Sequence, residues 1–331
     1  MPQATLLSRL DLENALDFPS VLKALEEAFH AERKGSWDTP KRIMARTPRG
    51  ALLAMPCAGG SPEVLGAKLV THFPGNTGRG LPGVSGLYAL FDSDQGEPKA
   101  VMDGTYLTLV RTAAVSALAT RLLSRPDATT LGVLGAGGQA EFHVRLLATV
   151  RPIDSVVIWA RASDRAEALL ARLKMREDLA PITLWTLASK PEDAARCDVV
   201  VTATAATEPI LRGRWLKEGA HLNVIGAHTR GTREVDTETI TRARILAAEN
   251  ATTLLEAGDF QMAEEEAGGV LSRVVSLASL LDPTLPLPSV TDPRGITVFK
   301  SCGVAFEDLA VATLAFGRAR DKGLGTSFAF A

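Results

Sequence analysis

The sequence predicts an α/β protein, with a doubly wound parallel sheet over its second part and a smaller α+β region before it. From Thr129 onward, short apolar runs alternate with helical segments, the pattern of strands that cross over through helices. A glycine-rich turn, Gly135-Ala136-Gly137-Gly138, closes the first of those runs, far enough along the chain for a complete domain to precede it. With 331 residues, 46% of them hydrophobic, the chain can bury a large core and is long enough for two domains.

In chain order, residues 11–34 place Leu12, Ala15, Leu16, Val21, Leu22, Ala24, Leu25 and Phe29 near a 3.6-residue spacing, so short helices are expected to open the protein, interrupted at Pro19. Over 41–101 the pattern changes to apolar runs at 51–55, 67–70 and 86–91. Turn-rich segments at 58–62 and 75–80 separate them, which predicts an antiparallel sheet. Residues 111–123, rich in Ala and Leu without Gly or Pro, predict a helix that Arg125-Pro126-Asp127 ends, and the domain boundary is placed there. The alternating half follows, with strands at 131–134, 155–159, 199–203, 222–225 and 245–247 and helices from Gln139 and Asp164. A helical stretch at 254–281, a proline-rich loop at 282–293, a strand at 296–299 and a helix from Phe306 complete the chain.

Leu131-Gly132-Val133-Leu134 running into Gly135-x-Gly137-x-x-Ala140 is a buried strand followed by a G-x-G-x-x-A turn. The first glycine permits the tight turn, the second lets backbone approach a pyrophosphate, and the small third residue lets helix and strand pack closely. The helix that opens near Gly138 and Gln139 would present free N–H groups and its positive end to the phosphates. This is a Rossmann-type dinucleotide site. The second strand ends in Ile158-Trp159-Ala160-Arg161-Ala162-Ser163-Asp164; the place about twenty residues beyond the fingerprint where an acid would grip the ribose 2′-hydroxyl carries no carboxylate, and Arg161 and Ser163 suit a 2′-phosphate. NADP(H) is therefore favoured over NAD(H), although Arg161 also reads as a solvated arginine and Ser163 or Asp164 as a helix N-cap.

A formal charge of −2 and a pI near 6.3 leave no electrostatic footprint for nucleic acid or an anionic membrane. Cys57, Cys197 and Cys302 are far apart and odd in number, with neither disulfide nor metal spacing. Asp11, Glu13 and Asp17 oppose a signal peptide, and no apolar run is long enough to span a bilayer, so a cytoplasmic protein is expected. Glu264-Glu265-Glu266 reads as a solvated helix face rather than a metal site, His143 as helical scaffold, and His72 as a hydrogen-bonded structural histidine. Chemistry at a carbon beside a carboxylate needs cations to hold that carboxylate. Arg42, Lys68 and Arg111 are the candidates, each of which reads equally as a solvated surface residue.

The chain resembles the ornithine cyclodeaminase/mu-crystallin family over nearly its whole length. The resemblance is carried by Gly66-Ala67-Lys68-Leu69-Val70, Val101-Met102-Asp103-Gly104, Arg111-Thr112-Ala113-Ala114-Val115-Ser116-Ala117, the glycine turn, Ala206-Thr207-Glu208-Pro209-Ile210, Arg233-Glu234-Val235-Asp236 and Thr297-Val298-Phe299-Lys300-Ser301. It implies a first domain that dimerises through its sheet edge and takes back the C-terminal helix. The expected domains are then 1–123 with 303–331 for substrate and dimerisation and 124–302 for NAD(P), with the active site between them in a homodimer. It further implies that Arg42, Lys68 and Arg111 bind a substrate carboxylate, that Thr112, Gly138, Gln139 and Arg161 touch the cofactor, and that Ser85, Thr204 and Ser301 contact nicotinamide or phosphate. The chain departs from ornithine cyclodeaminases at residues 223–230, where His228 stands in place of an aspartate beside the substrate. That departure favours reduction of a small α-imino acid, or the reverse oxidation, over cyclodeamination of ornithine. Lys68 or His228 would manage the proton, and His228 also reads as a loop histidine without chemistry. A protein that keeps the fold and binds a small ligand without turnover is the reading from a different class.

Overall fold

The computed structural model describes residues 3–60, 63–282, 284 and 293–329. Its contacts divide the chain into two compact units, Met1–Arg111 with Val304–Ala331, and Thr112–Gly303.

The first unit is built on strands β1 (Gln3–Leu7), β2 (Trp37–Asp38), β3 (Ile43–Thr47), β4 (Gly50–Gly59), β5 (Val64–His72), β6 (Val84–Phe91) and β7 (Pro98–Asp103). The C-terminal strand Thr326–Ala329 joins their sheet, whose order is C-terminal strand, β1, β7, β6, β5, β4, β2, with β3 also paired to β4. Strands β3 to β7 are antiparallel, as the short apolar runs predict, whereas β1 lies parallel to β7. A strand, not a helix, therefore opens the described chain. Pro19 does not interrupt a helix either: it sits in the first turn of Phe18–Arg33, where its missing N–H costs nothing, and Asp17 caps that turn through Ser20 N. Along β4, Ala51, Leu53, Met55 and Cys57 are buried, the period-2 signature of a sheet with one covered face. The helices Phe18–Arg33 and Ala305–Asp321 contribute to that core, where the Phe306 ring meets Phe29 edge-on at 5.1 Å and stacks on Trp37 at 5.9 Å. On the opposite face Ile43, Leu69 and Leu87 lie in one cross-strand row through Ala54, and all three are exposed.

The helix Gly104–Leu123 starts ahead of the expected Arg111, because Asp103 Oδ1 accepts Tyr106 N at 2.8 Å and caps it there. Gly104 is required at that corner, since a Cβ would lie 2.7 Å from the Leu87 backbone. The division between units falls inside this helix rather than after it: Arg111 bonds within the first unit, while Ser116, Thr120 and Ser124 bond within the second.

The second unit carries eight parallel strands, β8 (Thr130–Leu134), β9 (Ser155–Trp159), β10 (Leu184–Leu187), β11 (Val199–Thr202), β12 (His221–Val224), β13 (Ile245–Ala248), β14 (Val274–Ser276) and β15 (Thr297–Lys300). Their order is β10-β9-β8-β11-β12-β15-β13-β14, a doubly wound sheet of Rossmann type. The central strands are buried on both faces, which is why they read as continuous apolar runs. The edge strands β10 and β14 were not expected. Strand β14 breaks the helical stretch at 254–281, which becomes Ala251–Glu256, Gly258–Ala267 and Leu277–Leu280. The break follows from Gly268 and Gly269, both at positive φ, and from Glu264, whose carboxylate accepts the N–H groups of Gly269, Val270 and Leu271. Glu264 is thus a helix-ending acceptor, while Glu265 and Glu266 are exposed as expected, Glu266 pairing with Arg233. The proline-rich loop lies largely outside the described residues.

Among the described residues no helix is long and apolar enough to cross a membrane, and no group of His, Cys, Asp and Glu is arranged to hold a metal. Among the described residues Cys57, Cys197 and Cys302 form no disulfide.

Candidate active site

The glycine turn lies where the strand order reverses, between β8 and β11, the crevice in which doubly wound sheets hold dinucleotides. Gly135 has φ +131°, and a Cβ there would lie 2.4 Å from the Ala203 carbonyl oxygen. Gly137 is different in kind: its φ is ordinary and a Cβ would meet nothing within 4 Å, so the space beside it is open. It is the N-cap of Gly138–Leu147 and supplies no side-chain cap, which leaves the first N–H groups of that helix available to an anion. Ala140 is fully buried, as close packing of helix on strand demands. Gln139 is half-buried, and its carbonyl contacts His143 Nδ1 at 2.7 Å. His143 is structural: its Nε2 meets Ser116 Oγ at 2.9 Å, and burial pushes its pKa down to about 4. The Thr112 hydroxyl is buried and has no hydrogen-bond partner among the described residues. An open glycine, uncapped helix N–H groups and an unpartnered hydroxyl together fit a dinucleotide.

Three loops leave the sheet beside this turn, and buried carboxylates fasten each of them. Glu234, fully buried, accepts Thr202 Oγ1, Thr204 N, Thr204 Oγ1 and Gly226 N at 2.6–2.9 Å. Burial pushes its carboxyl above the usual range while Lys300 opposes the shift. Lys300 Nζ donates to the carbonyls of Val224 and Ala227 and pairs with Asp259 at 3.1 Å; burial would lower its pKa, but Asp259, Cys302 and Glu234 together raise it. Asp259 in turn accepts Glu234 N and Val235 N. His228 stands on the loop held in this way, half-buried, with Nδ1 3.1 Å from Gly226 O. Glu249, also fully buried, accepts Ser301 Oγ, Cys302 N and Gly303 N at 2.6–2.9 Å. The hydroxyls of Thr204 and Ser301 are therefore committed to Glu234 and Glu249, which makes both residues part of the loop scaffold.

Arg161 and Ser163 are exposed at the end of β9. The N-cap of the following helix is Ala162, so neither Ser163 nor Asp164 caps it; both lie inside its first turn, and Asp164 favours that turn by its charge alone.

In the first unit Lys68 projects from the covered face of β5, opposite Met55 and Tyr88. It is only 2% exposed, and its ammonium lies 2.8 Å from Asp308 Oδ2. Arg111, 4% exposed, directs Nε to Asp308 Oδ1 at 2.8 Å and Nη1 to Glu307 Oε2 at 2.9 Å. Burial, then the positive charges of Arg111 and Arg42, outweigh Asp308 and bring the Lys68 pKa down to about 8. Arg42, half-buried just before β3, is thus close enough to act on Lys68, whereas Arg46 is exposed. The structure gathers the three expected cations and adds two carboxylates from the first turn of the C-terminal helix. Ser85 does not join them: it is exposed on the opposite face of the sheet, beside Thr71. His72 shares the face of Lys68, at the end of β5.

Asp308, Glu307, Glu234, Glu249, Asp259 and Lys300 are the residues that pattern reasoning missed. One signal was present, since charged residues inside apolar segments, as in Thr297-Val298-Phe299-Lys300 or Ala305-Phe306-Glu307-Asp308-Leu309, imply buried partners.

A Rossmann unit with an open glycine turn, joined to a second unit bearing a buried cation cluster, defines a two-unit dinucleotide-binding protein of small-molecule type. The model of the ornithine cyclodeaminase/mu-crystallin family matches residues 3–323, and the chain belongs to that family. It is 35% identical over 268 residues to the ketimine reductase mu-crystallin of Mus musculus, covering 81% of this chain and 80% of the relative. It is similar in structure to the Delta(1)-pyrroline-2-carboxylate reductase of Thermococcus litoralis, solved with NADH and L-proline, with a TM-score of 0.91 and 32% identity over 97% of this chain and 99% of that one. An archaeal alanine dehydrogenase, solved as a dimer with bound NAD, has a TM-score of 0.88 and 29% identity, covering 99% of this chain and 100% of that one.

Proposed function

We propose that the protein is an NADPH-dependent reductase of small α-imino acids, or runs the same reaction as an amino-acid dehydrogenase, and that it works as a homodimer. The observation that carries this reading is the buried cluster of Lys68 and Arg111 with Glu307 and Asp308, with the half-buried Arg42 acting on it. Arg111 offers a planar fork and Lys68 an ammonium, the two cation types that suit a substrate carboxylate, and both are buried where such a contact is strong. The reductases and dehydrogenases among the relatives point the same way.

The glycine turn and the first N–H groups of Gly138–Leu147 would hold a reduced nicotinamide dinucleotide, which would supply hydride to the imine carbon. Arg111, with Arg42, holds the substrate carboxylate and so fixes which carbon is presented. Lys68, with a pKa near 8, carries a proton at neutral pH and releases it readily to the imine nitrogen. The C=N π pair forms the new N–H bond as carbon gains hydride, leaving an amine and an oxidised cofactor. His228, on a loop fixed by Glu234 and Lys300, is the second candidate for supplying that proton. Arg161 and Ser163, exposed at the end of β9, favour a 2′-phosphate and hence NADPH.

The test follows absorbance at 340 nm with NADPH or NADH over cyclic ketimine carboxylates, imines of pyruvate or glyoxylate, and an iminodicarboxylate. Consumption with at least one imine, at lower NADPH than NADH concentration, is expected. Arg161→Ala should raise the NADPH KM about tenfold, the loss of one charge-assisted contact, and leave the NADH KM nearly unchanged. Arg111→Lys keeps the charge that Glu307 and Asp308 require but drops the planar fork, and should cut kcat/KM for the imine about 100-fold with NADPH affinity retained. Proline and ammonia formed from ornithine at constant absorbance would establish the cyclodeaminase instead. Tight binding of imino acids without any turnover would establish a binding protein.

A further inference from the structure

The groups facing Lys68 are unevenly matched. From the helix Gly104–Leu123 comes Arg111, from the segment before β3 comes Arg42, and from the C-terminal helix come Glu307 and Asp308. Tyr88 and Cys57 border the cluster, but burial pushes the Tyr88 hydroxyl well above its usual range and the Cys57 thiol up to about 12, so both are neutral and balance no charge. Glu307 contacts Arg111 rather than Lys68. Asp308 alone, among the described residues, forms an ion pair with the Lys68 ammonium, and its second oxygen is tied to Arg111 Nε at 2.8 Å. That second bond fixes the plane of the carboxylate and so the direction from which it meets Nζ. Burial would raise the Asp308 pKa, but Arg111 and Lys68 outweigh it and hold the carboxyl ionised below the usual range.

We propose that Asp308 is the positioning residue for proton transfer by Lys68, holding the ammonium in place and protonated against the repulsion of Arg111 and Arg42. The inference rests on the imine-reduction reading. In turnover the proton leaves Nζ for the imine nitrogen, the Nζ lone pair remains, and the neutral lysine regains its proton from solvent before the next cycle. Asp308 gives up no proton, because Arg111 keeps it ionised throughout.

The test compares wild type with Asp308→Asn and Asp308→Glu. The Lys68 titration midpoint is followed by NMR of protein labelled at lysine Cε, with Lys68→Met to assign the signal and no substrate present. In Asp308→Asn the midpoint should fall by about one pH unit or more, the effect of removing an opposite charge in direct contact. The alkaline limb of the kcat/KM profile should move with it, so that the deficit is about twofold or less at pH 6 and about fivefold or more at pH 8. Asp308→Glu should restore most of both shifts, which a purely structural role would not explain, and it carries the comparison if the asparagine variant fails to fold. An unchanged midpoint in a folded Asp308→Asn, or in Asp308→Glu a midpoint as low as that expected of the asparagine variant, would overturn the inference. If no imine is turned over, the functional reading fails while the NMR midpoints still judge Asp308.

Discussion

At the scale of single residues, burial decides what each ionisable side chain does. His143 and His221 are fully buried, and burial lowers their pKa values to about 4 and about 3 from 6.5. Each is neutral in the folded protein across the physiological range, and each has a neutral partner, Ser116 or Thr297. Below pH 6.5 the unfolded chain binds protons that the folded chain refuses, so stability is full above pH 6.5 and declines as the pH falls towards 4. For His143 the loss by pH 4 is about 3 kcal/mol. Urea unfolding at pH 7 and pH 4.5 should show His143→Gln losing about 2 kcal/mol less than wild type over that interval. Equal losses would mean that His143 is charged in the fold. The cations Lys68 and Arg111 were legible as candidates because their types suit a carboxylate. Their partners Glu307 and Asp308 were not, since they stand almost two hundred residues from Arg111 and nothing local announces the pairing.

At the scale of elements, the two glycines of the turn separate folding from binding. Gly135 is held by backbone, with φ +131° and Ala203 O at 2.4 Å from where a Cβ would sit, whereas Gly137 borders open space at an ordinary φ. Gly135→Ala should therefore lower Tm by several degrees, the consequence of about 1–3 kcal/mol of strain. Gly137→Val should leave Tm within a degree or two but weaken NADPH binding at least about tenfold, because its side chain would occupy the approach to the pyrophosphate. Fluorescence titration of NADPH together with thermal melts reads both, and a Gly137→Val variant that binds NADPH normally would remove the turn from the cofactor site. The parallel strands were legible to within about a residue because burial on both faces writes continuous apolar runs. Strand β14 was hidden inside a helical pattern, since three residues are too few for a period to show and only pairing with β13 makes them a strand.

For the whole molecule, the outer face of the first sheet bears most directly on assembly. Ile43, at 67% exposure, with Leu69 and Leu87 in the same row, presents branched aliphatic side chains where a solvated sheet face would alternate with polar ones. A second copy covering this face is the homodimer proposed above, and it would involve a sheet face beyond the edge expected from the sequence. Leu69→Lys combined with Leu87→Lys should convert the dimer to a monomer in light scattering, whereas a dimer mass retained by the double variant would place the interface elsewhere. The sequence by itself determined the α/β class, the glycine turn with its strand and helix, and the residue types suited to a carboxylate, because each of these is written in local periodicity or in one side chain's chemistry. Only the tertiary structure decided which charges are buried together: the Asp308 bridge between Lys68 and Arg111, and the fastening of the loops beside the glycine turn by Glu234, Lys300 and Glu249. Buried charges are stable only when paired, and the pairing is made between elements distant in the chain, so its record lies in the packing and not in the order of residues.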